Sequence, residues 1–162
     1  MRSIKLFTMV KDEVDIVEDW LLYHGYIFGF PNLHIIDNYS SDGTYEILQK
    51  YEREKNIFLI REKNYRKKGL FMRHLIKDRI GRNYDIAYPL DIDEFIVLYD
   101  KSKNRINLTD IRIYLQSLPT HYKNYKTNYI YSTISSHDSF GYEKACQECK
   151  YGFYSDYGNQ AK

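Results

Sequence analysis

Three carboxylates crowd one short stretch of the chain: Asp91, Asp93 and Glu94, within Tyr88-Pro-Leu-Asp-Ile-Asp-Glu-Phe-Ile-Val-Leu98. An apolar run from Ile86 to Leu90 enters it and another from Phe95 to Leu98 leaves it. In an extended backbone Asp91 and Asp93 point the same way, with Cα atoms roughly 6–7 Å apart. Neighbouring carboxylates repel unless a cation lies between them or one takes a proton. Oxygen-only ligands suit a hard divalent ion such as Mg²⁺ or Mn²⁺, which keeps coordination positions open for phosphate oxygens. Two readings therefore stand: a buried strand end that presents a metal and, through it, a diphosphate, or an ordinary acidic turn that closes a strand.

The elements that must position these residues follow from hydrophobic periodicity. Ile4 to Val10 is a β-rich run, ended by Lys11-Asp-Glu13. Val14, Val17, Leu21, Gly25 and Phe28 recur three or four apart, which predicts a helix over about 14–26, with Trp20 and Leu22 widening its apolar stripe. Gly29 to Asn32 is a turn, and Leu33 to Ile36 a second strand that ends at Asp37-Asn38. Ser40-Ser-Asp-Gly-Thr44 carries turn and capping chemistry before a helix over 45–54. Ile57 to Ile60 is a third strand and 70–80 a third helix, closed by Gly81. Residues 84–90 form a fourth strand that delivers the acidic stretch, a further helix is expected over 108–118, and 125–135 alternates as a strand does. The β-α-β-α-β order with short links predicts an α/β fold with a mainly parallel sheet covered by helices.

Composition narrows the classes. A chain of 162 residues with 43% hydrophobic residues is one domain with a real core. A net charge of +2 gives no electrostatic case for nucleic acid, and Arg66-Lys67-Lys68 reads as solvated surface near which phosphates could come. No apolar run is long enough for a membrane span. Met-Arg-Ser-Ile-Lys leads directly into strand-like sequence, so no secretory signal is expected, and a cytoplasmic location follows as an expectation. Cys146 and Cys149 are too few for a disulfide framework, and one C-x-x-C pair is at best half of a zinc site.

Ligands of open α/β sheets bind at the carboxyl ends of the strands. The residues at those ends are Lys11 and Glu13, then Asp37 and Asn38, then Asp91, Asp93 and Glu94. Acidic clusters converging on one edge suit a nucleoside diphosphate with a metal. No G-x-x-x-x-G-K-S/T or G-x-G-x-x-G loop is present, which argues against P-loop and dinucleotide enzymes. Taken together, Lys11-Asp-Glu13, Glu18-Asp-Trp20, Tyr23-His24, Gly29, Ile36-Asp-Asn38, Ser41-Asp-Gly-Thr44 and Asp91-Ile-Asp-Glu-Phe95 resemble the GT-A glycosyltransferases. The branch they look like is family 2 and family 92-like, and the likeness covers about the first hundred residues.

The resemblance implies a GT-A, Rossmann-like fold and a transferase that moves a sugar from a nucleotide-sugar donor to a glycan or other hydroxyl acceptor. It implies Mn²⁺ or Mg²⁺ on the D-x-D, with Asp93 the direct ligand and Asp91 facing metal and ribose. Asp37, with Asn38 beside it, would contact the base or ribose, and Glu13 would lie beside the nucleotide. The family's Asn at this point is Asp12 here. Glu94 falls on the opposite face and is expected to serve structure, as are His24 and Trp20. Residues 1–100 would be the nucleotide-sugar half of a single domain over 1–162, and 101–162 a partial acceptor side, with Phe140-Gly141 resembling a family feature. An inverting transferase needs a carboxylate base; the candidates are Asp138 and Glu143, with Glu148 behind them, and His121 and His137 are the remaining histidine candidates for the metal. The alternatives are a truncated or inactive member that binds nucleotide or sugar without turnover, and a nucleotidyltransferase.

Overall fold

The computed structural model describes residues 2–81, 85–100, 105–107, 110–120, 131–133 and 150–152. Four strands, β1 (Ile4–Val10), β2 (Leu33–Asp37), β3 (Phe58–Arg61) and β4 (Ile86–Pro89), form one sheet in the order β3-β2-β1-β4. All three pairings are parallel, with Val10 beside Asp37, Asp37 beside Arg61, and Phe7 beside Pro89. Between successive strands lie α1 (Val17–Phe28), α2 (Thr44–Lys55) and α3 (Lys68–Arg79). The expected α/β architecture with a parallel sheet is present. Element bounds move by a few residues, most at the head of α1, where residues 14–16 form a turn before the helix proper.

The two central strands, β1 and β2, are buried on both faces, while β3 and β4 at the edges are mostly half-buried. Ile4, Leu6 and Val10 of β1 pack with α1, α2 and a later short helix, α4 (Ile111–Ser117), through Trp20, Leu21, Leu48 and Ile111. Phe7 and Met9 point to the other face, where Met72 and Leu75 of α3 cover them together with Ile36 of β2. Alternation along one strand thus feeds two cores. Gly25 in α1 makes room for Phe30, since a Cβ there would lie 2.3 Å from the ring.

The chain changes direction across the sheet at one place. From β1 it steps outward to β2 and β3, then returns to the far side of β1 as β4. The carboxyl ends of β1 and β4 therefore flank the switch point, the crevice at which open α/β sheets take ligands. After β4 come two short antiparallel strands, β5 (Leu98–Asp100) and β6 (Arg105–Asn107). The chain divides into two compact units, Met1–Leu118 and Pro119–Lys162. In the second, β7 (Tyr131–Thr133) pairs antiparallel with β8 (Lys150–Gly152), so the described part of the strand expected over 125–135 is extended, and β8 falls in a tail with no legible pattern.

Candidate functional site

Because the sheet is parallel, the loops after β1, β2 and β4 leave from the same edge, and Asp37 and Asp93 lie at that edge together. The acidic stretch, however, is not strand. β4 stops at Pro89, and residues 91–94 reverse in a turn closed by Glu94 N–H donating to the Asp91 carbonyl at 3.1 Å. Pro89 sits with its nitrogen on the open edge of β4, where a missing N–H removes no bond to β1, and Leu90 N–H makes the last bond to β1 by donating to the Phe7 carbonyl at 2.9 Å. The in-and-out alternation survives the turn: Ile92 is buried in the core, while Asp91 and Asp93 are exposed on either side of it. The Glu94 carboxylate accepts the Asp91 N–H at 2.9 Å, so Glu94 shapes the turn.

The two exposed carboxylates differ in their surroundings. Asp91 is paired with the Lys68 ammonium at the head of α3. Desolvation opposes the charge on Lys68, but the Asp91 contact outweighs it and holds the ammonium above the ordinary lysine range. Asp93 makes no hydrogen bond or ion pair with any described residue, and neither does the half-buried Glu13 side chain across the switch point. Among the described residues, no three His, Cys, Asp or Glu side chains are grouped to hold a metal.

The loop after β2 is built differently. Asp37 has no exposed surface; one oxygen accepts the Ser40 N–H at 3.1 Å and the other takes Arg61 Nε at 2.7 Å. The Arg61 guanidinium lies 3.6 Å from the Tyr45 ring centroid and 4.4 Å from that of Tyr39. Asn38 is also buried, with its amide donating to the Glu62 carbonyl, and its own carbonyl accepts Lys11 Nζ at 3.2 Å. Arg61 carried no signal in composition, yet it sits beside Asp37 in the parallel register, where strands of equal reach would bring their last residues together.

The Ser-Ser-Asp-Gly-Thr turn stitches this loop to the one after β1. Ser40 Oγ accepts Asp12 N–H at 3.0 Å, Thr44 Oγ1 accepts Glu13 N–H at 2.8 Å, and Asp42 Oδ2 accepts Val14 N–H at 3.0 Å. In return Asp12 Oδ1 accepts Ser41 N–H at 2.7 Å. Asp12 has a φ of 53°, a left-handed conformation that Asn and Asp tolerate better than most residues. Gly43, at φ 108°, makes the turn into α2 possible. Against a desolvation penalty, hydrogen bonds from the Thr44 hydroxyl, Thr44 N–H and Val14 N–H hold the Asp42 carboxyl below its usual range.

α1 reaches the acidic turn from the other side. Trp20 Nε1 donates to the Glu94 carbonyl at 3.1 Å, and Tyr23 Oη donates to the Ile96 carbonyl at 2.6 Å. His24 Nδ1 donates to the Trp20 carbonyl at 3.0 Å, which leaves Nε2 to accept the Ile96 N–H at 3.4 Å. Burial pushes the His24 imidazole down to about 3, against the pull of the Trp20 carbonyl, so the ring is neutral. His24 and Trp20 are packed interior residues, as their helical setting implied. Asp138, Glu143, Glu148, His121, His137, Phe140-Gly141 and the Cys146–Cys149 pair lie outside the described residues. No helix among the described residues is long and apolar enough to cross a membrane. No protein-family profile matches the chain, and no curated protein shows significant similarity to it.

Proposed function

We propose that the chain is a metal-dependent glycosyltransferase of the GT-A type, which transfers a sugar from a nucleotide-sugar donor to an acceptor hydroxyl. One observation carries the reading: the exposed pair Asp91 and Asp93 stands at the switch point between β1 and β4, with the unpartnered Glu13 on the other side. That is where a doubly wound sheet takes a nucleotide. The donors present suit Mg²⁺ or Mn²⁺, which are commonly held by one or two carboxylates with phosphate oxygens and water completing the shell. Asp93 would be the first ligand, being free, and Asp91 the second once Lys68 gives it up. The bound ion would offset the negative charge that develops on the departing diphosphate.

This chain's own groups have separate tasks in that reading. Lys68, released from Asp91, is placed to meet a phosphate oxygen. Glu13 faces the nucleotide from the β1 side. Asp37 and Asn38 shape the nucleoside side of the crevice through Arg61 and the loop they hold, since their side chains are buried. Asp138 and Glu143 are our candidates for the base that takes the acceptor's proton.

The test is Mn²⁺-dependent binding of nucleoside diphosphates by calorimetry, followed by hydrolysis of a panel of nucleotide-sugars. Wild type is expected to bind a nucleoside diphosphate only with the metal, and Asp93→Asn to lose that binding while keeping its fold. Its thermal midpoint should be equal or slightly higher without metal, because a like charge beside Asp91 is gone. Metal-dependent binding retained in Asp93→Asn would overturn the assignment of the site, and no nucleotide binding at all would overturn the function.

A further inference from the structure

The acidic turn has lost its sheet before it begins, and its backbone must find other partners. β4 ends at Pro89, β5 starts at Leu98, and residues 94–97 between them have no regular structure. Buried backbone N–H and C=O groups are almost always paired. On the entry side, Leu90 N–H donates to the Phe7 carbonyl of β1 at 2.9 Å. On the exit side the partners are side chains, all from one turn of α1: Trp20 to the Glu94 carbonyl, Tyr23 to the Ile96 carbonyl, and His24 to the Ile96 N–H. Spacing of three and four places them on one helix face. Two of them also hold the ring of Phe95, Tyr23 at 5.2 Å edge-on and His24 at 5.6 Å stacked.

Aliphatic residues at these three positions would fill the core and leave no polar tips to satisfy. Burying an indole N–H, a phenol and an imidazole is costly unless each is hydrogen-bonded. Here each is, and each bond ends on the backbone within three residues of Asp93. The acidic turn is thereby pinned at both ends, with Ile92 and Ile96 sunk in the core.

We infer that Trp20, Tyr23 and His24 are positioning residues that hold the backbone at Glu94 and Ile96, so that Asp91 and Asp93 are presented in one fixed geometry to a divalent cation. The inference rests on the metal-binding role given to the acidic turn above. It extends that role to a helix that touches neither the cation nor the nucleotide. Groups hydrogen-bonded to a metal ligand commonly change metal affinity by about 10- to 100-fold when removed, and these three act one step further back, through the backbone, so the lower end of that range is expected.

The experiment titrates Mn²⁺ alone, with free ion counted by electron paramagnetic resonance, against the full chain. Four variants accompany wild type: Tyr23→Phe, which deletes one hydroxyl; Trp20→Phe, which deletes the indole N–H; Ile35→Val, a change in the same core that removes no hydrogen bond to residues 94–96 and is expected to lower the melting temperature; and Asp93→Asn. Tyr23→Phe should stay folded and bind Mn²⁺ about tenfold or more weakly, with faster amide exchange at Ile96. Ile35→Val should bind as wild type does. If Trp20→Phe fails to fold, Tyr23→Phe decides alone. Wild-type affinity in Tyr23→Phe, or an equal loss in Ile35→Val, would overturn the positioning role while leaving the metal site intact if Asp93→Asn has lost binding. No Mn²⁺ binding by wild type would overturn both.

Discussion

Single side chains in this fold do more than one job, and the sharpest case is Asp42. Its two oxygens satisfy Thr44 N–H at the head of α2 and Val14 N–H in the turn that leads into α1. A hydrogen bond contributes about 0.5–1.5 kcal/mol net. Asp42→Ala, which removes the bonds to Val14 and Thr44, is therefore expected to lose on the order of 1–2 kcal/mol by urea unfolding, with Asp42→Asn recovering part of it. His24 gives a second, pH-linked case. Its folded pKa of about 3 lies below the ordinary 6.5, so between those values the unfolded chain binds the extra proton. Stability is complete above pH 6.5 and falls as pH drops toward 3, by about 1.4 kcal/mol per unit within the window. His34, lowered to about 4 by burial and then by the charges of Lys5 and Arg79, adds to the same slope. Unfolding free energies measured from pH 7 to 4.5 should fall for wild type and fall less steeply for His24→Gln. A flat profile for wild type would contradict the neutral, buried assignment.

At the scale of elements, the helix and strand order through β4 was legible because two periodicities dominate it. Ile4 to Val10 and Leu33 to Asp37 are nearly continuous apolar runs, and Val17, Leu21 and Phe28 keep a helical spacing. The edge on which Asp37 and Asp93 meet followed from parallel topology alone. What was not legible is what the polar residues touch. Asp91-Ile-Asp has the alternation of a strand, but the bonds between Asp91 N–H and the Glu94 carboxylate and between Glu94 N–H and the Asp91 carbonyl turn it into a reversal. Asp37 reads as a strand-end carboxylate, and only the register with Arg61 shows why it is buried. The helical setting placed Trp20 and His24 in the core but gave no such place to Tyr23, and it said nothing about a backbone 70 or more residues away. The packing of α1 is also sensitive to a residue with no side chain. Gly25→Ala puts a methyl group into the Phe30 ring, and its melting temperature should fall well below that of Gly69→Ala, where nothing lies within 4 Å of the added carbon. Equal melting temperatures would show that Phe30 moves aside freely.

For the molecule as a whole, the first unit contains both cores, the sheet and every described candidate residue, while the proposed bases belong to the second. The hydrogen bonds that join the loops after β1 and β2 also lead to an expectation about the order of folding. α1 has no side-chain cap of its own, and the side-chain bonds that settle the Glu13 and Val14 N–H groups come from 28 to 31 residues further along. Helices as short as 12 residues are marginal alone in water. A synthetic peptide over residues 11–29 should then show little helical circular dichroism, whereas strong helicity would mean that α1 nucleates by itself. If the start of α1 forms only once β1 and β2 have paired, mutations at Asp42 or Thr44 should speed unfolding far more than they slow folding. On that order the loop that bears Glu13 is expected to be among the last parts of the first unit to form and among the first to open, so the Glu13 and Val14 amides should exchange faster than those of β1 and β2.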